Sequence, residues 1–201
     1  MITRHTFFSP QGILASFILV FSLYAMWRIL PPTVATRIHA YEGIKRNLEH
    51  LKNETLEILM EASTDLRATS VGSQMGTFLV GKTKIFFKKI PLTELEIQPE
   101  NVRSTRNIFS LPPSYYRIGS AGFGAWRELF CHQEATQWVL NDECRSFPLL
   151  YGWRILPQKE NLPKQEIMHE NKMDDESPEV IQRLLAIQNA PYELVLFLEY
   201  I

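Results

Sequence analysis

The sequence predicts an α+β fold built around a mainly antiparallel sheet, and three patterns lead to that class. Apolar residues recur at every third or fourth position over residues 38–66, which is the period of an amphipathic helix. Two apolar runs, residues 77–80 and 84–90, are joined by Gly81-Lys82, as in a β-hairpin. A helical pattern over residues 125–140 precedes two more strand-like runs. Strands joined by a hairpin and by helices form such a mixed fold.

Composition fits one globular domain with an appendage. The chain has 201 residues, 45% of them hydrophobic, and its 21 basic side chains are balanced by 22 acidic ones. Because this balance provides no broad positive field, we expect no nucleic-acid partner. Cys131 and Cys144 are too few for a disulfide framework and lack metal-ligand spacing, so we expect free thiols and no metal site.

Residues 1–32 are predicted to form a membrane anchor. The segment from Thr6 to Trp27 carries no formal charge. As a helix it would reach about 33 Å, enough to cross the hydrocarbon core of a bilayer. Pro31 and Pro32 would end that helix. A cleaved signal peptide and a buried core helix remain alternatives for the same residues.

The charges on either side of the anchor predict its orientation. Arg4 precedes the apolar run, whereas Arg28, Arg37, Lys45 and Arg46 follow it. Loops rich in Lys and Arg stay on the cytoplasmic side. We therefore expect a single-pass membrane protein with a cytoplasmic C-terminal domain.

Residues 33–70 are predicted to form an amphipathic juxtamembrane helix. Its apolar residues follow the helical period: Ile38, Tyr41, Ile44, Leu48, Leu51, Ile58, Leu59 and Ala62. Such a stripe can pack on the helix's own domain or form a dimeric coil, although Thr55 interrupts a coiled-coil seam.

Residues 71–201 are predicted to form the α+β domain. Residues 71–76 have the composition of a flexible turn before the hairpin, and Pro91 is expected to end the second hairpin strand. A polar connection over residues 92–116 then leads to a glycine cluster at residues 119–124.

The last part of this domain is predicted to contain two strands and a helix. Residues 147–156 and 193–201 have strand-like apolar runs. The charged segment 157–176 is predicted to be a solvated loop. Ser177-Pro178-Glu179 has the residues of a helix start, and the helix is expected to reach about residue 188.

In this order the residues resemble the N-terminal lobe of the protein-kinase-like phosphotransferase fold. The resemblance covers about residues 71–201 and includes a glycine-containing turn, the strand Ile85-Phe86-Phe87-Lys88, a helix bearing Glu128, and a last strand entering Leu198-Glu199-Tyr200. In that family, glycines let the backbone approach phosphates and a strand lysine pairs with the α- and β-phosphates. A helix glutamate holds that lysine in place.

Transferred by position, the resemblance implies five cofactor-binding residues. Gly72 and Gly76 correspond to the glycine turn, Lys88 to the phosphate lysine and Glu128 to its partner. Glu199 corresponds to the first residue of the hinge that meets adenine. Because the turn lacks the pattern G-x-G-x-x-G, the resemblance implies at most weak ATP binding.

These residues can also have purely structural roles. The glycines can serve a loop alone, Lys88 can face solvent, and Glu128 can pair with Arg127. Lys89 and Glu134 are the second candidates for the lysine and its partner.

The helix residue His132 offers no alternative chemistry. His132 lies four residues after Glu128, on the same helix face, but the sequence has no second ligand cluster there for a metal site.

The kinase-like reaction also needs a catalytic Asp, an Asn and a metal-binding Asp from a second lobe. The sequence stops at Ile201, where that lobe would begin. We therefore expect a membrane-anchored, truncated kinase-like protein (a pseudokinase) that is not an enzyme, with a protein partner covering the hinge side of the sheet. The alternative is a membrane-tethered protein-interaction module with no nucleotide role.

Overall fold

The computed structural model describes residues 33–68, 72–115, 120, 122–159 and 177–201. The predicted anchor, residues 1–32, lies outside the described residues, as does most of the charged segment 157–176. Among the helices in the described ranges, none combines the length and apolarity that a membrane crossing requires.

The described residues contain five helices, and all pairs of neighbouring strands in the sheet are antiparallel. The helices are α1 (Val34–His50), α2 (Asn53–Glu61), α3 (Glu94–Ile97), α4 (Ala125–Leu140) and α5 (Pro178–Gln188). The strands are β1 (Arg67–Ala68), β2 (Gln74–Val80), β3 (Thr83–Leu92), β4 (Leu150–Pro157) and β5 (Tyr192–Glu199). Their order in the sheet is β1-β2-β3-β5-β4. The predicted α+β class with an antiparallel sheet is confirmed.

The prediction of one continuous helix over residues 33–70 is wrong. The chain forms α1 and α2 with a break at Leu51 and Lys52, and Lys52 is extended. An unbroken helix over residues 34–61 would be about 42 Å long, whereas a ten-residue strand such as β3 spans about 33 Å. The break allows both helices to bury apolar residues on one sheet face.

The β2–β3 hairpin has the predicted turn but a longer first strand. Val80 pairs with Thr83 across Gly81-Lys82, and Gly81 has a φ of 61°. The predicted flexible turn at residues 71–76 is wrong for Gln74–Gly76, because the ladder continues to the pair Gln74 and Lys89.

The prediction that Pro91 ends β3 is also wrong. The pairing of β2 with β3 ends at Lys89, so Pro91 lies beyond the part of β3 that pairs with β2. The missing N–H of Pro91 therefore leaves no gap in the β2 ladder. Pairing with β5 continues to Leu92 and Tyr192. A proline is tolerated where a strand has a neighbour on one side only.

Three other differences concern one connection and the ends of two strands. The predicted loop at residues 92–116 contains α3, which begins with a capping box between Thr93 and Glu96. β4 begins three residues later than predicted and β5 ends at Glu199. The predicted bounds of α4 and α5 are confirmed.

The sheet carries a core on each face. Side chains of α1 and α2 pack against one face, where β3 contributes Ile85 and Phe87. Helix α4 packs against the other face through Trp126 and Leu129, where β3 contributes Ile90. Because side chains alternate along a strand, neighbouring β3 residues belong to different faces.

Candidate functional site

Lys88 and Glu128 form an ion pair between the middle of the sheet and α4. Lys88 lies on β3, opposite Met75 of β2 and Leu196 of β5. Its Nζ lies 2.5 Å from Oε1 of Glu128. The side chains are 25% and 19% exposed, so the pair is partly shielded but can still be reached from solvent.

Two local features of the sequence produce this pair. The alternation along β3 directs Lys88 to the same face as Ile90, which belongs to the core under α4. Helix α4 begins at Ala125, so Glu128 lies in its first turn, where the helix dipole favours a carboxylate. Leu129 is buried beside it and fixes the rotation of α4 on the sheet.

His132 is the third polar residue of this site. Its Nε2 lies 3.9 Å from the same Glu128 oxygen, one helical turn away. Burial is the main cause that lowers the pKa of His132, and Lys88 lowers it further, whereas Glu128 opposes the change.

The two predicted phosphate glycines have different environments. Gly72 precedes β2 with a φ of 78°, a conformation that favours glycine, and it lines a cavity together with Lys89. Gly76 lies inside β2, where a Cβ would be 2.7 Å from Ser63 Oγ and 2.9 Å from Cζ of Phe87. Packing alone therefore accounts for a glycine at position 76.

Lys89, the second candidate lysine, lies on the opposite sheet face. Its Nζ is 3.0 Å from Oε1 of Glu193, inside a cavity of about 160 Å³ beside α2. Burial raises the pKa of Glu193, while Lys89 opposes that rise. At the same cavity Lys159 bridges Glu57 and Glu61, at 2.6 and 3.1 Å. Lys88 and Lys89 therefore cannot serve the same site.

Glu134, the second candidate partner for the lysine, lines a different cavity. That cavity is formed by α1, α4 and β4, and Tyr41 and Arg154 contribute to it. The structure brings Lys88 together with Glu128 and leaves Glu134 in this other groove.

Glu199 joins the end of β5 to the residue before β4. Its N–H donates to the carbonyl oxygen of Leu149 at 2.8 Å, and its Oε2 accepts from Leu149 N at 3.1 Å. The N–H of the predicted first hinge residue is thus used within the sheet. Beyond it, the ring of Tyr200 lies 4.1 Å from Lys84 Nζ.

Sequence reasoning missed a buried ion pair between Glu96 and Arg183. Arg183 Nη1 lies 3.0 Å from Glu96 Oε2, and both side chains are 4% exposed. Glu96 also accepts from the N–H of Ala125, and Trp126 Nε1 donates to the Glu96 carbonyl. The spacing Thr93-x-x-Glu96 is typical of a capping box and could have placed Glu96 at the start of a helix. The pair fastens α3 to the start of α4 and to α5.

Neither a metal cluster in the described ranges nor a matching protein family identifies the role of this site. In those ranges, no group of three or more His, Cys, Asp and Glu side chains is arranged to hold a metal ion. Comparisons of the chain with family models, curated proteins and solved structures found no match.

Proposed function

We propose that residues 71–201 bind the phosphates of a nucleoside triphosphate weakly, as a kinase-like N-terminal lobe, and that residues 1–32 tether the chain to a membrane with this domain on the cytoplasmic side. The observation that supports the nucleotide role is the ion pair between Lys88 and Glu128 at 2.5 Å. A strand lysine held by a helix glutamate is the arrangement that kinase-like folds use to hold the α- and β-phosphates.

The chemistry of the pair suits a phosphate. A lysine ammonium has three N–H donors, and the bond to Glu128 engages one of them. The remaining donors can reach phosphate oxygens, and such charge-assisted bonds are stronger than neutral ones. Glu128 orients the flexible Lys88 side chain and thereby reduces the entropy that a ligand must remove.

The proposed affinity is weak because other parts of the site contribute little. Gly76 belongs to β2, so its backbone is engaged in the ladder with Phe87. The N–H of Glu199 donates to Leu149. In kinase-like folds a second lobe supplies the metal-binding and catalytic carboxylates, so the activity proposed for this lobe is binding rather than phosphoryl transfer.

Calorimetric titration of ATP and Mg²⁺ into the full chain in a mild nonionic detergent tests this proposal. We expect the variant Lys88→Met to bind about tenfold more weakly or worse, because it loses a charge-assisted bond. Lys82→Met is the matched control, since Lys82 is exposed in the β2–β3 turn and its loss changes net charge equally. Equal affinity in all three proteins, or no binding to the unaltered chain, would refute the nucleotide role.

An exposed aromatic group favours the second candidate function, a membrane-tethered interaction module. Phe130, Trp138 and Phe147 are exposed, and the rings of Trp138 and Phe147 lie 5.7 Å apart. Clustered exposed aromatic residues mark protein-interaction surfaces. A photo-crosslinking residue at position 138 should give a discrete adduct in native membranes, and one at the exposed position 67 should not. The same pattern of adducts at both positions would argue against this module.

A further inference from the structure

One carboxylate oxygen in the candidate site is approached by two nitrogens that can carry charge. Oε1 of Glu128 lies 2.5 Å from Lys88 Nζ and 3.9 Å from His132 Nε2. The shorter distance is a formed hydrogen bond, whereas the longer one is beyond hydrogen-bond length. His132 therefore lies next to the ion pair without a full bond to it.

Among the described residues, the charged groups that face His132 come from two elements. Glu128 lies on its own helix and Lys88 on β3. β5 also packs against α4, with Leu194, Leu196 and Leu198 in the shared core. β4 meets α4 through uncharged contacts. Leu150 N donates to Thr136 Oγ1 at 2.8 Å, and the rings of Trp153 and Trp126 are 6.2 Å apart.

Arg154 is the charged residue of β4, and its guanidinium is engaged elsewhere. It donates to the carbonyl oxygens of Trp153 and Leu48. In the part of the chain that the structure describes, Lys88 and Glu128 are thus the charged groups that act on His132.

Burial and the positive charge of Lys88 both favour the neutral imidazole. A phosphate bound to Lys88 would offset that positive charge and add negative charge beside the ring. Nearby negative charge favours the protonated form of a histidine. Phosphate binding and protonation of His132 must then strengthen each other, because coupling between two sites is reciprocal.

We propose that His132 is a proton-linked positioning residue, which takes up a proton and bonds Glu128 when a phosphate group occupies Lys88. This inference rests on the proposed nucleotide role of Lys88. The imidazolium holds Glu128 in place while Lys88 keeps its bond to that carboxylate and directs its remaining N–H donors to the phosphate. Acidification through the titration range of His132 therefore strengthens nucleotide binding.

NMR titration of the His132 imidazole in the full chain, in detergent, tests this inference with and without saturating ATP. The expected result is a titration midpoint about one pH unit higher with ATP, equivalent to about a tenfold gain in affinity for the protonated protein. His132→Gln keeps a hydrogen-bonding side chain but cannot titrate. The affinity of the unaltered chain for ATP should depend on pH through both His132 and the protonation of ATP itself. The affinity of His132→Gln should depend on pH only through the protonation of ATP.

Three outcomes would overturn the inference, and they distinguish its failure from that of the nucleotide role. If ATP binds and Lys88→Met abolishes binding, but the His132 midpoint is the same with and without ATP, the positioning role fails and the nucleotide role stands. If ATP does not bind at any pH, both fail. Identical pH profiles of affinity for the unaltered chain and for His132→Gln would also contradict the positioning role.

Discussion

The Arg183 guanidinium lies 3.0 Å from the Glu96 carboxylate, with both side chains 4% exposed. The two residues belong to α5 and α3, and Glu96 in turn accepts from Ala125 N at the start of α4. The ring of Phe109 lies 4.4 Å from the guanidinium carbon. The pair thereby connects three helices beside the sheet, and it fixes the first turn of the helix that carries Glu128.

Removing one member of this pair should destabilise the domain strongly. Arg183→Met leaves the Glu96 carboxylate buried without its cation, and breaking a buried pair costs about 3–5 kcal/mol. Urea unfolding of the full chain in detergent, followed by tryptophan fluorescence, measures the loss. The matched control is Arg145→Met, whose ion pair with Asp142 is exposed and should matter little. Equal small effects of the two substitutions would contradict the structural role of Arg183.

Gly76→Ala should also destabilise the fold, because its Cβ would meet Ser63 Oγ at 2.7 Å and Phe87 Cζ at 2.9 Å. Overpacking of this kind costs about 1–3 kcal/mol. Gly152→Ala is the control in another strand, where a Cβ meets nothing within 4 Å. Thermal unfolding of both variants distinguishes them. A Gly76→Ala protein as stable as Gly152→Ala would show that the neighbours of Gly76 can yield.

Local patterns predict the strand and the helix that carry Lys88 and Glu128, whereas the pairing of these two residues was expected only from the resemblance to kinase-like folds. The turn at Gly81-Lys82 sets the hairpin register, and the alternation along β3 then selects the face of Lys88. The predicted bounds of α4 put Glu128 in its first turn. The hairpin turn and the bounds of α4 depend only on neighbouring residues, so the sequence predicts them. It left open whether Lys88 faces α4 or solvent.

The remaining features depend on contacts that are distant in the sequence. A glycine looks the same in a turn and in a strand, and only the approach of Phe87 and Ser63 explains Gly76. Arg183 on α5 resembles an ordinary surface residue until the fold brings Glu96 to it from α3. Tertiary packing determines the roles of Gly76 and Arg183, and these roles cannot be predicted from sequence periodicity.

Asp65 should make stability depend on pH in the acid range. Hydrogen bonds from the Thr77 and Ser63 side chains, with Lys84 nearby, lower the pKa of Asp65 from 3.8 to about 2. A carboxyl with a lowered folded pKa stabilises the protein above its unfolded pKa, and this stabilisation is lost as the pH falls from about 4 to about 2. Urea unfolding across this range should show a shallower decline for Asp65→Asn. A decline as steep as in the unaltered chain would exclude Asp65 as its source.

The predicted anchor should keep the chain in membranes. An apolar segment as long as residues 6–27 resists extraction by high salt and by carbonate, because both treatments remove only peripheral proteins. Deletion of residues 1–32 should release the remainder, and a reporter fused after Ile201 should behave as cytoplasmic. Carbonate release of the undeleted chain would contradict the anchor. A mature N-terminus near residue 36 would instead support the cleaved signal peptide.

Lys89→Met should change how stability depends on pH while leaving ATP binding intact, and this would distinguish the role of Lys89 from that of Lys88. Burial raises the pKa of Glu193 above 4.5, and Lys89 limits that rise at a distance of 3.0 Å. A carboxyl with a raised folded pKa stabilises the fold below its unfolded pKa, and that stabilisation is lost as the pH rises through the folded value. Without Lys89 the pKa of Glu193 in the folded state rises further. The variant should therefore be less stable than the unaltered chain at pH 7 and about equally stable near pH 4.

The control for this loss is Lys89→Met combined with Glu193→Gln, which has no titrating group at position 193 and should lack the added pH dependence. Unfolding in urea at both pH values measures the stabilities, and ATP titration at pH 7 measures the ligand. Because Lys89 lies on the sheet face opposite Lys88, its loss should leave ATP affinity within about twofold of the unaltered value. A loss of ATP binding as large as that of Lys88→Met would instead assign the phosphates to the cavity around Glu193.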